Sequence, residues 1–259
     1  MNGTVTVLDK GAVRLHSYMS PADTFHVTTQ LIETSARIIV IDAQLNPAYA
    51  DEAAAYARGL GKPLDRLIVT HAHPDHYNGA AGFGVPVHVL PLVREQIAAR
   101  PAGQLPNGLV VSATDLNPSV DITPGTEVID GVPFVFEAVS GGEAADQLVV
   151  KLPEQGVLVA QDLVYHDVHL YLGNNDVTGW QQVVDALAAE PGYDTILTGH
   201  GLPAGPEVYE EVRAYLTDAH ELLGDDGQAY KKAIVDRYPS YVGPFIIDIA
   251  NRSLFPVGD

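Results

Sequence analysis

The hydrophobic pattern of the N-terminal part predicts four strands followed by a helix. Hydrophobic and polar positions alternate in "TVTVLD" and "VRLHSYM", as expected of strands with one buried face. "FHVTTQLIET" and "ARIIVIDA" follow, with a turn at Thr34-Ser35, and the aliphatic run of the latter indicates burial on both faces. "PAYADEAAAYARGLG" predicts a helix, because Asn46 can cap it, Pro47 suits its first position and Gly61 follows its end.

The next elements alternate between strands and helices. "DRLIVT" predicts a second buried strand that leads directly into a histidine-rich segment. A short helix, the strand "VPVHVL" and the helix "PLVREQIAAR" come next. The stretch from Pro101 to Pro124 is rich in Pro, Gly and Asn, which predicts loops.

The second half of the chain shows a similar order of elements. "TEVIDGVPFVFEAV" predicts a hairpin with its turn at Asp130-Gly131, and "DQLVVKLPEQGVLVAQD" predicts another that turns between Pro153 and Gly156. "TGWQQVVDALAAE" has a helical pattern, "YDTILTGHG" predicts a strand, and the chain from Pro206 onward is mostly helical.

This order predicts an α/β fold in which two sheets pack face to face beneath outer helices. Because no repeat, low-complexity tract or linker is visible, we expect a single domain over residues 1–259, with a helical C-terminal extension from about residue 206. The polar residues His71 to His76, Asp162 and His200 follow the C-terminal ends of predicted strands. Functional loops occupy this position in layered α/β folds.

The composition excludes several functional classes. The chain has no cysteine, so disulfides, thiolate metal ligands and a cysteine nucleophile are ruled out. Its formal net charge of -19 argues against binding to nucleic acid or to anionic lipid. Strong acidity otherwise says little about the substrate, and the sequence does not predict the oligomeric state.

The hydropathy of the chain predicts its location. With 46% hydrophobic and 18% charged residues, the composition is that of a soluble globular protein. No apolar stretch is long enough to cross a bilayer, and the N-terminus lacks the pattern of an export signal. We therefore expect a cytoplasmic protein.

The segment "THAHPDH" carries the clearest chemical signal. Pro74 disfavours a helical conformation for His73, so His71 and His73 are expected in an extended segment, pointing the same way. Pro74 then suits the first turn of a short helix, which turns Asp75 and His76 in another direction. One segment can thus supply His71 and His73 to one metal and Asp75 and His76 to a second. These ligands fit Zn²⁺ first, with Fe and Mn as alternatives.

The sequence at this point resembles a known family. "THAHPDHYNG" is similar to the H-x-H-x-D-H-x-x-G signature of the metallo-β-lactamase-fold hydrolases, and the resemblance extends over roughly Val13 to Gly201. It implies an αββα four-layer sandwich with two zinc ions and a bridging hydroxide. It also implies that Asp42 of "VIDA" supports the metal ligands, that Asp162 of "VLVAQD" bridges the metals, and that His200 of "ILTGHG" completes the second site.

One departure from the family pattern concerns the first metal. Members of the family usually have a histidine ligand in the segment that corresponds to "VSGGEAADQ", which contains none. The counterpart is either Gly142, which has no side chain to bind with, or Glu143 after a slip of one residue. Alkylsulfatases of the same fold resemble this chain in having a glutamate in an "EA" context. We therefore predict Glu143 as the third ligand of the first metal, with a degenerate first site as the alternative.

The resemblance implies a metal-dependent hydrolase that cleaves a small ester, thioester, lactone or sulfate ester with a metal-bridging hydroxide. Asp75 could carry a proton to the leaving group in addition to binding metal. The alternatives are hydrolysis of β-lactams and a non-catalytic metal-binding protein.

Aromatic and histidine side chains near the ligands are candidates for substrate contacts. Tyr165, His166 and His169 follow the bridging aspartate closely, and so does Tyr171. Tyr77 comes directly after the histidine cluster. Tyr and His can donate a hydrogen bond to a substrate oxygen while packing against an apolar group.

Overall fold

Two mixed β-sheets form the framework of the protein. The computed structural model describes residues 1–105, 110–111, 116 and 119–256. The first sheet has seven strands, in the spatial order β1 (Thr4–Asp9), β2 (Arg14–Met19), β3 (Thr28–Glu33), β4 (Ile38–Ile41), β5 (Leu64–Val69), β6 (Val87–Val89) and β9 (Ser119–Asp121). Strands β1 to β4 pair antiparallel, and the remaining pairs are parallel.

The second sheet has five strands, which run in chain order: β10 (Gly125–Ile129), β11 (Val132–Ser140), β12 (Asp146–Leu152), β13 (Val157–Tyr165) and β14 (Thr195–His200). Only β13 and β14 pair parallel. The predicted turn between β10 and β11 contains Asp130 at φ 49° and Gly131 at φ 85°. Positive φ at both central residues is the mark of the type I′ hairpin turn that Asp-Gly favours.

Seven helices complete the described part of the chain: α1 (Pro47–Gly59), α2 (Pro74–Tyr77), α3 (Pro91–Ala99), α4 (Val177–Ala189), α5 (Val208–Leu222), α6 (Gly227–Arg237) and α7 (Phe245–Leu254). Helix α1 begins as predicted, because the Asn46 side chain accepts a hydrogen bond from the backbone N–H of Ala48 and Pro47 holds the first position. No helix in the described ranges is both long and apolar enough to cross a bilayer.

Two hydrophobic cores explain the order of the layers. One core joins the buried face of α1 to the first sheet and continues into the inner face of the second sheet, through Phe134 and Val150. The other core packs the opposite face of the second sheet, including Leu158, against helices α4 to α7. Trp180 of α4 is buried in this second core and donates a hydrogen bond to the backbone carbonyl of Leu163. The predicted αββα sandwich is therefore confirmed.

Two details differ from the sequence prediction. The span Pro101 to Pro124 contains the short strands β7 (Gly103–Gln104) and β8 (Val110–Val111), which pair with each other. It also contains the edge strand β9, which pairs parallel with β6. Residues 106–109, 112–115 and 117–118 of that span lie outside the described residues. Strand β13 also continues to Tyr165, so Asp162 lies inside a strand, next to a register shift at Gln161, and not after a strand end.

Candidate metal centre

The histidine segment has the local geometry that Pro74 predicts. His73 has φ -93° and ψ 142°, an extended conformation, and Pro74 occupies the first position of α2. The rings of His71 and His73 lie 4.9 Å apart between centroids, so they share one side of the segment. Helix α2 then turns Asp75 and His76 toward a different set of partners.

The predicted ligands converge from four parts of the chain into two groups that share Asp162. The first cluster contains His71, His73, Glu143 and Asp162, and the second contains Asp75, His76, Asp162 and His200. Within each cluster, one ligand atom per residue lies within 4.8 Å of the others. This pairing of His71 with His73, and of Asp75 with His76, is the one expected from the sequence.

The first cluster depends on the glycine-rich loop between β11 and β12. Gly141 and Gly142 have φ values of +89° and +97°, and a Cβ on Gly142 would approach Leu163 to 3.2 Å. This backbone turns Glu143 inward, where only 1% of its surface is exposed. Its Oε1 lies 2.8 Å from His73 Nδ1, and its Oε2 lies 3.5 Å from His71 Nε2. Of the two counterparts of the missing histidine, the one that faces the other ligands is Glu143.

The second cluster surrounds the other side of Asp162. Its Oδ1 lies 3.1 Å from His76 Nε2, and its Oδ2 lies 3.3 Å from His200 Nε2. Asp75 Oδ2 lies 3.3 Å from His200 Nε2 and 3.5 Å from His76 Nε2. A Cβ on Gly199 would come within 1.8 Å of Asp162 Oδ1, so glycine is required for the approach of β14 to β13.

The outer nitrogen of each fully buried histidine has a partner, which fixes the ring orientation. His76 Nδ1 lies 2.8 Å from Asp42 Oδ2, and His200 Nδ1 lies 2.9 Å from the carbonyl oxygen of Phe25. His71 Nδ1 lies 3.0 Å from Thr70 Oγ1. Histidine metal ligands commonly have such outer partners, which orient the ring and fix its tautomer.

Asp42 is the centre of this outer network of hydrogen bonds. It is fully buried and also accepts hydrogen bonds from the backbone N–H and the hydroxyl of Thr70, and from Gln161 Nε2. Its φ of 60° lies in the left-handed region, which Asp and Asn tolerate better than most residues. Gln161 directly precedes Asp162 in the sequence. The bulge in β13 therefore places the Asp162 carboxylate in the clusters and the Gln161 amide against Asp42.

The inner atoms of the two clusters lack the partners that buried polar atoms require. Among the described residues, the following ligand atoms are buried without a hydrogen bond: Nε2 of His71, His76 and His200, Oε2 of Glu143 and Oδ1 of Asp162. Unpaired buried polar atoms are costly and rare in folded proteins. Imidazole nitrogens and carboxylate oxygens that share one space form a donor set suited to divalent cations, so these residues fit a pair of such ions.

The charges of the site agree with this donor set. The carboxylates of Asp42, Glu143 and Asp162 are buried and that of Asp75 is partly buried beside them, and two divalent cations would balance the four negative charges of the ionised groups. Burial lowers the pKa of His200, but Asp162 and Asp75 outweigh burial and raise that pKa to about 10. Burial raises the pKa of Glu143 to about 7. Without cations, His200 is therefore protonated at neutral pH, and Glu143 partly so.

A cavity of about 540 Å³, its open mouth included, leads to the two clusters. Its polar end contains His73, Asp75, Glu143 and His200. Tyr165 also lines the cavity, donates a hydrogen bond of 2.9 Å to Asp162 Oδ2, and stacks on His200 with a centroid distance of 4.3 Å. The ring of Tyr171 lies 5.1 Å from that of His73.

Three predicted substrate contacts do not line this cavity. Tyr77 is buried in the core, because α2 turns its ring away from the ligands. His166 lies beyond the end of β13, and its Nδ1 donates to the carbonyl of Leu202. His169 is buried, with its Nδ1 3.0 Å from the Tyr215 hydroxyl. The prediction that these three residues contact the substrate is therefore wrong, because each packs or forms hydrogen bonds away from the cavity.

The sequence did not single out several residues that the fold brings to the site. Gln161 and Thr70 could have been suspected from their position beside predicted ligands. Arg100 lies at the end of a predicted helix, and it lines the cavity. Ile246 and Ile249 also line it from the C-terminal helix, and nothing in their local sequence distinguishes them from ordinary core residues.

Comparison with known proteins identifies the family. A sequence model described as the metallo-beta-lactamase superfamily matches residues 22–200, which is more than half of the chain. The chain belongs to the metallo-β-lactamase superfamily. The prediction of an enzyme, a metal-dependent hydrolase, agrees with this family.

One curated relative is named as a sulfatase. The alkyl/aryl-sulfatase BDS1 of Saccharomyces cerevisiae is 27% identical, in an alignment that covers 67% of this chain and 34% of the sulfatase. The chain spans about a third of the length of the curated relatives that it matches.

Two solved structures share the fold of this member of the superfamily. The metallo-beta-lactamase from Pontibacter korlensis has a TM-score of 0.66 and 21% identity, and the match covers 83% of this chain and 100% of that one. The metallo-beta-lactamase FIM-1 from Pseudomonas aeruginosa, in its mono-zinc form, has a TM-score of 0.64 and 23% identity, with 85% and 96% covered.

Proposed function

We propose that this chain is a metal-dependent hydrolase with a two-ion centre that cleaves a small ester, thioester, lactone or sulfate ester. The observation that carries the proposal is the set of buried inner atoms of the two clusters that have no hydrogen-bond partner among the described residues. Zn²⁺ is the first choice for these ligands, and Fe or Mn fits a site with added carboxylate.

Each cluster would hold one ion through three residues of its own and the shared Asp162. His71, His73 and Glu143 are the other ligands of the first ion, and Asp75, His76 and His200 are those of the second. When bound, two such cations would supply a hydroxide near neutral pH and would polarise the bond under attack.

The protein itself supports this chemistry with positioning and proton transfer. Asp42 and the Phe25 carbonyl hold the outer nitrogens of His76 and His200, so that both rings direct Nε2 inward. Asp75 lines the cavity and is the carboxylate best situated to carry a proton to a leaving group. Tyr165 holds Asp162 through its hydroxyl.

A sulfate ester is the substrate that we favour among the four. Arg100 is a cationic side chain in the lining of the cavity, so it can meet an anionic substrate. Planar guanidinium groups bind oxyanions through paired hydrogen bonds. The presence of Glu143 and the similarity to an alkyl/aryl-sulfatase support the same choice.

The central experiment combines metal analysis with turnover in the wild type and in His73→Ala. We expect two ions per chain in the wild type, together with hydrolysis of at least one substrate among 4-nitrophenyl sulfate, 4-nitrophenyl acetate, a thioester and a lactone. His73→Ala should retain the fold, as judged by circular dichroism, and lose activity. His220→Ala is the matched control, because His220 is exposed on α5. Full activity in His73→Ala would contradict the proposal.

Two alternatives give different results in the same assays. Hydrolysis of a β-lactam is favoured by the shared fold with named metallo-β-lactamases. It would appear as turnover of a chromogenic cephalosporin in the absence of ester or sulfatase activity. A non-catalytic protein with a degenerate first site would bind one ion or none and turn over no substrate.

A further inference from the structure

Helix α7 borders the cavity although it lies outside the part of the chain that matches the family model, which ends at residue 200. Ile246 and Ile249 of this helix both line the cavity. Residues three apart lie on the same face of a helix, so the two side chains form one apolar strip. The C-terminal extension therefore contributes directly to the space beside the metal clusters.

The strip adds to a largely apolar lining. Phe25, Leu45 and Leu105 line the same cavity, together with charged and imidazole side chains of the two clusters. Small-molecule sites typically combine a mostly apolar wall with a few polar groups. The lining of this cavity therefore offers polar groups for the reacting bond and apolar groups for a substituent.

Several contacts fix α7 in this position. Phe245 stacks on Phe25 with a centroid distance of 5.9 Å and an angle of 16°. Lys231 of α6 forms an ion pair of 2.6 Å with Asp248, and Asn251 Nδ2 donates to the carbonyl of Gly227 at 2.7 Å. These contacts show that α7 is packed as a wall of the cavity.

Tyr171 joins α7 to the first cluster. The centroid of its ring lies 5.1 Å from that of His73, and its hydroxyl lies near Ser253 at the end of α7. A Cβ on Gly173 would lie 2.2 Å from the Tyr171 ring, so the glycine leaves the space that the ring occupies. Tyr171 therefore contacts His73 and also lies beside the end of α7.

We propose that Ile246 and Ile249 determine substrate specificity by packing against an alkyl or aryl group of the ester. The proposal rests on the proposed hydrolase function and adds to it the part of the substrate that does not react. Each buried methylene contributes about fourfold to binding through the hydrophobic effect. The kcat/KM should therefore rise with the chain length of the substrate until the cavity is filled.

The test uses the full-length, metal-loaded protein and Ile249→Ala, with Leu254→Ala as the matched control. Ile249 and Leu254 are both half-buried residues of α7 that pack on the same core, and of the two only Ile249 lines the cavity. The first readout is kcat/KM for n-alkyl sulfates and 4-nitrophenyl alkanoates of increasing chain length. The second is calorimetric binding of 1-butanol and 1-octanol, which does not depend on turnover.

We expect the wild type and Leu254→Ala to prefer longer chains by about fourfold per methylene. Ile249→Ala should lower kcat/KM by about tenfold or more for the substrate with the longest chain and change it little for the substrate with the shortest. An equal dependence on chain length in all three proteins would overturn the specificity role of α7. Octanol binding that depends on Ile249, without turnover of any ester, would support the apolar wall and contradict the proposed hydrolysis.

Discussion

Oε1 of Glu143 lies 2.8 Å from Nδ1 of His73, although the two residues come from loops on different sheets. This contact brings a carboxylate to the position where the family resemblance led us to look for a histidine. Carboxylates bind divalent cations well but add negative charge, which reduces the Lewis acidity of the ion. The first cluster therefore differs chemically from a site made of three histidines.

Replacing Glu143 by alanine should remove the ion of the first cluster. We expect metal content to fall from two ions per chain to one, and kcat/KM to fall by at least about a hundredfold, since loss of a ligand should exceed the effect of losing an outer partner. Inductively coupled plasma mass spectrometry and turnover measure the two effects. Glu154→Ala is the control, because Glu154 is exposed and belongs to neither cluster. Unchanged metal content in Glu143→Ala would exclude Glu143 as a ligand.

Asp42→Asn should weaken metal binding without removing a ligand. Asparagine tolerates the φ of 60° at this position, so the backbone is preserved while the negative charge behind His76 is lost. We expect metal affinity to fall by about 10- to 100-fold, as is typical when an outer partner of a histidine ligand is changed. Competition with a chromogenic chelator measures the affinity. Wild-type affinity would show that Asp42 does not act through His76.

Tyr165→Phe should loosen Asp162 and reduce metal affinity by about tenfold, because the hydroxyl holds Oδ2 at 2.9 Å. The phenyl ring would still stack on His200, so the packing is retained. Tyr209→Phe is the matched control, since the buried Tyr209 hydroxyl has no hydrogen-bond partner among the described residues. If both variants bind metal equally well, the tyrosine is not a positioning residue.

Removal of the metals should destabilise the fold, because ions that bind only the folded state stabilise it. At metal concentrations about a thousand times the Kd, the stabilisation is about 4 kcal/mol, which corresponds to roughly 10 °C in Tm. Differential scanning calorimetry with and without a chelator measures the change. The difference should shrink as the pH falls, because protons compete for the imidazole and carboxylate ligands. A Tm that does not respond to chelation would contradict metal binding.

Glu33 provides a pH-dependent contribution to stability away from the site. Burial raises its pKa, but hydrogen bonds from Lys62 and His16 outweigh burial, and the pKa is lowered from its ordinary value of 4.5. A carboxyl with a lowered folded-state pKa stabilises the protein above its unfolded-state pKa, and the effect is lost as the pH falls through the folded-state value.

Glu33→Gln should therefore reduce the free energy of unfolding by about 1.5 kcal/mol at pH 7 and by less at about pH 3, below the ordinary pKa of 4.5. Urea denaturation at both pH values measures the difference. Glu95→Gln is the control, because Glu95 is exposed on α3. An effect of the same size at both pH values would show that the charge of Glu33 is not its cause.

The local sequence was sufficient to predict most of the strands, though not β7 to β9, and the short-range geometry of the candidate ligands. The Pro74 ring determines where α2 begins, and this in turn separates His71 and His73 from Asp75 and His76. Asp130-Gly131 and Asn46-Pro47 act through backbone preferences within a few residues, so the hairpin turn and the start of α1 could be predicted directly.

The substrate wall could not be predicted in the same way. Tyr77, His166 and His169 are near ligands in the sequence, but the direction of each side chain depends on helix α2 and on the irregular path of the chain after β13. The bulge at Gln161 is an example, because a shift of one residue in a strand reverses the face on which every later side chain lies.

The sequence alone thus determined the layered fold and the separation of two pairs of candidate ligands in "THAHPDH", because these follow from periodicity and from proline geometry over a few residues. Tertiary structure decided that Glu143 and not Gly142 faces the histidines, and that Ile246 and Ile249 line the cavity. Those contacts join residues far apart in the chain, and their geometry depends on how the sheets and the C-terminal helices pack.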